Sequence, residues 1–306
     1  MYCLAPVAAW RVGRTDSGKE KLSFKVPSYI PFASPTYMLP CGKCELCLER
    51  KRQDWIRRLE LESFLHDSSS FVTLTYNDQY LPDGGVASKS DLQKFIKRLR
   101  NVPRDFNVSF GHFKYFFVSE YGSKHGRPHY HGLIFGLDFM SDCWRPYFAT
   151  LKDGRHPVYS SSVLDKVWRF GFVSVDRLTP ANISYVCKYV NKDLDKKSFR
   201  LFSRGFGKSI FFDDNNRLTS FGRSSYENGF VVYPFGNDKF FRGAIPKNID
   251  RYLSLYADDV FQSVKLSRRK FSQGKFISSC ELNDRKDIIK IRRSENSQKR
   301  ILDNET

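Results

Sequence analysis

An α+β protein with an antiparallel sheet backed by helices is what three features of this sequence predict. Short stretches rich in β-branched and aromatic residues alternate with stretches whose apolar residues recur at helical spacing. Glycine and proline punctuate them, as Gly126, Pro128 and Gly136 do around the run "HYHGLIF". The stretches follow one another as strand, helix, strand, strand, helix, strand, and then a further helix.

Residues 1–40, rich in Pro and Ser, read as irregular chain leading into "CGKCELC". A helix is expected over about Glu45–Leu65, because Leu48, Trp55, Ile56, Leu59 and Leu65 roughly keep helical spacing among dense charge. "SFVTLTYND" reads as a strand ending in polar residues able to meet a ligand. A turn at "PDGG" precedes a helix from about Lys89 to Leu99, with Leu92, Phe95, Ile96 and Leu99 on one face. Two aromatic strands follow, "HFKYFFVSEYG" and "RPHYHGLIFG", joined by a short glycine-containing turn. The helix "SVLDKVWRF" leads to the strand "FVSVDRL", and Pro180 opens a helix at "PANISYVCKYVNKDL". This order is the split βαβ, or ferredoxin-like, arrangement. Beyond about residue 200 the pattern weakens into Phe/Gly-rich loops and short strands. The expected organisation is a Cys-rich segment with a basic helix over 1–66, the main domain over 67–200, an accessory region over 201–264 and a basic tail over 265–306.

Composition narrows the partners. The 306 residues carry 51 Lys and Arg against 33 Asp and Glu, a net charge of +18, together with 28 Phe and 16 Tyr. Such a balance points to a polyanion, with bases stacked on rings if the strand is single. The tail adds to it, since residues 265–300 hold twelve Lys and Arg and four Asp and Glu. That segment is either solvated chain or a sequence-independent DNA contact. No run of 18 or more apolar residues predicts a membrane span, and the opening "MYCLAPVAAWRVGR" lacks the pattern of a signal peptide.

Three of the seven cysteines are crowded into residues 41–47. Cys41, Cys44 and Cys47, with Cys3 as a candidate fourth ligand, would make a tetrahedral zinc site; free thiols are the alternative. A bacterial-type iron–sulfur cluster would want a further cysteine near position 51, which is Lys51.

Two motifs carry chemistry. In a strand His129 and His131 share a face while Tyr130 takes the other. The pair is either a bidentate metal grip or two imidazoles satisfied by the backbone. On the helix after Pro180, Ile183, Val186, Cys187, Val190 and Leu194 form an apolar stripe. Tyr185, Lys188, Tyr189 and Lys192 form a second surface on the other side. A phenol with a pKa near 10 needs about 4 kcal/mol to ionise at pH 7. Nearby ammonium groups, or a cation that polarises the attacked phosphate, would ease its attack on a DNA phosphodiester.

The motif His129-Tyr130-His131 followed by "YVCKYVNK" resembles the HUH endonucleases, specifically the rolling-circle replication initiators of microviruses. "PCGKCELC", "TLTYND" and "SEYGSKHGRPHYHG" look like the gokushovirus branch, and the resemblance covers about residues 38–210. It implies a Mg²⁺- or Mn²⁺-dependent enzyme that nicks and rejoins single-stranded and origin DNA through a 5′-phosphotyrosine link. It further implies His129 and His131 as metal ligands and Tyr185 and Tyr189 as nucleophiles. Glu120 is the choice for the third ligand, with Asp78 in reserve. Lys188 and Lys192 are candidates to steady phenolate or phosphate. Host helicase and DNA polymerase in the host cytoplasm would be the partners. A relaxase or transposase of the same group, and a non-enzymatic zinc-containing single-strand DNA-binding protein, are the competing readings. A histidine-triad hydrolase needs a third alternating His where this chain has Leu133. "GFGKS" at 205–209 fails as a Walker A loop because position 202 is Phe202, so no nucleotide cofactor is predicted.

Overall fold

The computed structural model describes residues 3–16, 20–29, 34–106, 112–122, 126–140, 142–151, 154–191, 198–234 and 240–272. Residues 52–264 form one compact unit, and the described parts of 1–51 and 265–306 form another.

The N-terminal stretch is not irregular as expected. Strand β1 (Val7–Arg14) pairs antiparallel with β2 (Glu20–Ser23) on one side and β3 (Tyr37–Leu39) on the other. Only Ala9 of β1 is buried, so the alternation that marks a half-buried strand is nearly absent from its sequence. Val7 lies opposite Leu39, and continuing that register carries Cys3 toward Cys41. Helix α1 (Glu45–Ser63) begins inside the cysteine cluster.

In the larger unit the chain continues as β4 (Ser69–Tyr76), α2 (Lys89–Phe106), β5 (Lys114–Tyr121), β6 (Pro128–Phe135), β7 (Cys143–Leu151), β8 (Gly154–Ser161), α3 (Ser162–Trp168), β9 (Gly171–Arg177), α4 (Pro180–Lys188) and β10 (Arg200–Phe202). The strands make one antiparallel sheet in the order β10-β5-β6-β4-β9-β8-β7. The β7–β8 hairpin was not expected. Pro146 and Pro157 argue against strands there, and proline is tolerated because this pair lies at the outer end of the sheet.

Alternation assigns the two faces. Val72, Leu74 and Tyr76 of β4, with Phe117, Tyr130 and Ile134, pack beneath α2 and α3 around Phe95 and Trp168. Phe116, Val118, Leu133 and Phe135 pack on the opposite face, against Trp55, Ile56 and Leu59 of α1 and Ile183, Val186, Cys187 and Val190 of α4. The Tyr130 hydroxyl pins the register from below, donating to the Ser88 carbonyl at 2.9 Å and meeting the Tyr76 hydroxyl at 3.0 Å. A one-residue slip of β6 would bury His129 and His131 instead.

Gly132 completes this packing. A Cβ there would lie 2.0 Å from the ring of Phe117, which is fully buried and has nowhere to go. Gly132→Ala is therefore expected to destabilise the protein by about 1–3 kcal/mol through overpacking. A lowered urea midpoint with an unchanged slope is the measurement that checks it.

The remaining elements are α5 (Lys208–Phe211), α6 (Ser220–Asn228), β11 (Phe230–Pro234), β12 (Phe240–Ala244), α7 (Lys247–Tyr256) and α8 (Asp258–Ser272). β11 and β12 form a hairpin, and the group shares a core with Leu61 of α1. Buried Glu62 fastens the loop before α5: it accepts from Gly207 N at 2.8 Å, from Lys114 Nζ at 2.9 Å and lies 2.8 Å from His66 Nε2. Those bonds outweigh the desolvation that would raise it and hold its carboxyl below the usual range. Of the expected basic tail, residues 265–272 continue α8 and the rest, with Cys280, lies outside the described residues.

Candidate active site

β6 and β4 run side by side, with His129 opposite Thr75 and His131 opposite Thr73. On the same face of the sheet the Thr75 hydroxyl lies 2.9 Å from His129 Nδ1, and the Thr73 hydroxyl 3.0 Å from His131 Nδ1. Each imidazole thus has one nitrogen engaged by a threonine, which fixes the ring and leaves Nε2 for other work. The threonines were not singled out as site residues; the alternation of "TLTY" beside that of "HYH" is the signal that could have found them.

β5 supplies the carboxylate. Glu120 sits opposite His129 in register, and its Oε2 lies 2.8 Å from His131 Nε2. His129 lines the same cleft. Its Nε2 would stand only 3.0 Å from a Cβ at Gly122, so the absence of a side chain there keeps the space beside that nitrogen open. The cleft has a volume of about 390 Å³, and Phe172 of β9, 68% exposed, forms part of its rim. Asp78, the reserve ligand, is exposed and paired with Arg127.

α4 brings the tyrosines. Thr179 and Asn182 close a capping box and Pro180 occupies the first turn, so the helix starts at a fixed place. It ends sooner than expected: after Lys188 the backbone tightens into a 3-10 turn, Tyr189–Asn191. Ile183, Val186, Cys187 and Val190 are buried as the stripe requires, while Leu194 and Lys192 lie outside the described residues. Tyr185 and Tyr189 do not stand clear of the protein; both are half-buried over His131. The Tyr185 hydroxyl donates to Glu120 Oε2 at 3.3 Å and lies 3.4 Å from His131 Nε2. Tyr189 donates to the Tyr185 hydroxyl at 3.1 Å. Lys188 is exposed, with its ammonium 5.7 Å from the centroid of the Tyr185 ring.

Burial and the Glu120 carboxylate hold both phenols protonated above their ordinary range, against the direction expected from neighbouring lysines. Burial and the neighbouring His131 hold the His129 imidazole below its ordinary value, so it is neutral, as a ligand must be. The cluster therefore offers two imidazole nitrogens and one carboxylate, with two phenols beside them.

In the smaller unit the sulfurs of Cys3, Cys41, Cys44 and Cys47 all lie within 4.8 Å of one another. Cys3 and Cys44 are 3.8 Å apart, the edge expected of a tetrahedron with bonds of about 2.3 Å. Backbone N–H groups donate to three of them, from Cys41 to Cys3, Cys44 to Cys41 and Leu4 to Cys44. The group could hold a metal such as zinc.

Residues 69–194 match the family model of the ORF2-type replication-associated proteins. That segment belongs to the family. It contains Glu120, His129, His131, Tyr185 and Tyr189, and it excludes the four cysteines. The replication-associated protein ORF4 of Chlamydia phage 1 is 31% identical over 203 residues, 62% of this chain and 50% of that relative. The chain thus spans about half the length of that protein. The replication-associated protein ORF2 of Spiroplasma virus 4 is 26% identical over 93% of this chain and 92% of its own length. The replication-associated protein VP4 of Bdellovibrio phage phiMH2K is 28% identical over 81% and 75%. No solved structure matches the chain. Among the described residues no helix is long and apolar enough to cross a membrane.

Proposed function

We propose that this chain is an HUH-type enzyme that starts rolling-circle replication of a phage genome by nicking and rejoining single-stranded origin DNA. One observation carries the reading: the Tyr185 hydroxyl rests on both Glu120 and His131, with the Tyr189 hydroxyl directly behind it. The strand order supports a ferredoxin-like core, since β4 lies between β6 and β9 and β6 lies between β4 and β5, as two split βαβ units require.

The tyrosine oxygen attacks phosphorus, the bond from phosphorus to the 3′ oxygen breaks, and the 5′ phosphate stays on the phenol. Glu120 Oε2, which already accepts from Tyr185, takes the phenolic proton, and a proton returns to the departing 3′ oxygen. Reversal by a 3′ hydroxyl rejoins the strand, because phenolate leaves more readily than an alkoxide. His129, His131 and Glu120 suit Mg²⁺ or Mn²⁺, which when bound would polarise the phosphate and lower the cost of a nearby phenolate. Lys188 and Lys192 would neutralise phosphate at the helix end. The four cysteines hold structural zinc in this reading, and host helicase and DNA polymerase supply unwinding and synthesis in the host cytoplasm.

The test is a denaturing gel after incubation with a library of single-stranded oligonucleotides. A covalent adduct is expected with Mg²⁺ or Mn²⁺ and not with chelator. His131→Ala should reduce it at least about hundredfold, since the Lewis acid is worth several kcal/mol. Salt-dependent DNA binding should survive that change. Tight binding with no adduct on any sequence would leave a single-strand binding protein instead.

A further inference from the structure

The "GFGKS" loop plays no part in the chemistry above, yet it lines a second cleft of about 380 Å³ on the larger unit. We propose that this cleft holds one nucleotide of the DNA strand whose phosphate the active site attacks, so it rests on the nicking reading. Arg204 and Arg251 line it, both exposed and, among the described residues, neither paired with a carboxylate. No acidic residue among those described lines it, so it suits a bare phosphodiester and gives a magnesium–triphosphate nothing to hold the metal.

The walls suit a base. Phe202, 39% exposed, packs one side against Trp55 and Phe116, at centroid distances of 4.9 and 5.7 Å, and stands beside Tyr252 in the lining. An aromatic ring supported in this way accepts any base by stacking. Asn248, also in the lining, donates Nδ2 to the Phe206 carbonyl and leaves Oδ1 buried without a partner, an acceptor that a base amino group would satisfy. The loop is built rather than loose: Glu62 holds Gly207 N and Lys114 holds the Gly205 carbonyl.

Position links the two clefts. Phe202 pairs with Phe116, on the face of β5 that also carries Glu120, four residues further along. That is about 13 Å at strand rise, or about four nucleotide steps at the spacing of duplex DNA. A strand leaving the active site along β5 therefore reaches the cleft within a few nucleotides of the cut.

The test is fluorescence-anisotropy titration of a labelled single-stranded 12-mer in chelator, over a series of salt concentrations. Arg204→Ala/Arg251→Ala should weaken binding at least about fivefold and lower the salt slope by about 0.7 for each phosphate left without its arginine. At saturating DNA with Mn²⁺ the variant should still form the tyrosine adduct, while any base preference within about four nucleotides of the cut disappears. An unchanged slope and affinity in a variant that melts like the parent would overturn the proposal. So would ATP or dAMP competing as well as the oligonucleotide does, which would make the cleft a mononucleotide site. The binding arm does not depend on cleavage. Failure of the wild-type adduct with intact Arg-dependent binding would sink the nicking mechanism alone.

Discussion

A Tyr185→Phe/Tyr189→Phe variant is expected to bind single-stranded DNA like the parent and to form no covalent adduct with it. Phenylalanine keeps both rings, so the contacts with His131 and Phe71 that seat them survive and only the attacking oxygens are removed. The single variants should differ. Tyr185 touches Glu120 and His131 directly, whereas Tyr189 reaches the cluster through the Tyr185 hydroxyl. Tyr185→Phe should therefore cost the first cut more than Tyr189→Phe does, and either single change should impair release of closed circles, which needs a second nucleophile. Peptide mass spectrometry of the adduct decides the matter: DNA attached outside residues 185–189 would reject the mechanism.

Cys44→Ser is expected to unfold the N-terminal unit rather than slow the chemistry. Burial pushes the Cys47 thiol up to about 12, while N–H groups of Lys43 and Cys44 draw Cys41 down to about 6. A cluster that mixes one easily ionised thiol with a reluctant one is settled by a cation, and binding to such a site is folding free energy, about 10–16 kcal/mol in zinc-finger peptides. Elemental analysis of protein prepared without chelator should find about one zinc per chain. The substituted protein should lose the metal and become protease-sensitive between residues 1 and 51. Well-folded, zinc-free parent protein would end the idea.

The main sheet was legible because its residues obey one period at a time. "FVTLTY" and "HYHGLIF" alternate cleanly, and both faces are covered by helices whose apolar residues keep their own spacing. The histidine pair and the tyrosine pair could be read for the same reason, since each is a local spacing. What brings them together is not local: 65 residues separate Glu120 from Tyr185, and only the pairing of β5 with β6 and the seating of α4 place them in contact. The β1–β3 sheet and the β7–β8 hairpin were missed because one is too exposed to alternate and the other carries prolines. Missing the first also hid why Cys3 reaches Cys41, since the β1–β3 ladder is what brings that end of the chain back. The tyrosines were expected on an outer surface because helical periodicity gives angles around an axis. It does not say how much of the circumference a neighbouring sheet covers.

The threonines of β4 set the tempo of the two halves of the site. β4 is laddered on both sides, to β6 and to β9, so Thr73 and Thr75 hold the histidines from a strand that leaves the sheet only when the whole unit opens. The tyrosines hang from a nine-residue helix that gives way to a 3-10 turn at the second of them. One half therefore keeps its coordinates for as long as the protein stays folded, and the other can rearrange on the microsecond scale of a fraying helix end. In such a division of labour the stationary partner defines where phosphorus must sit, and the yielding partner decides which oxygen reaches it.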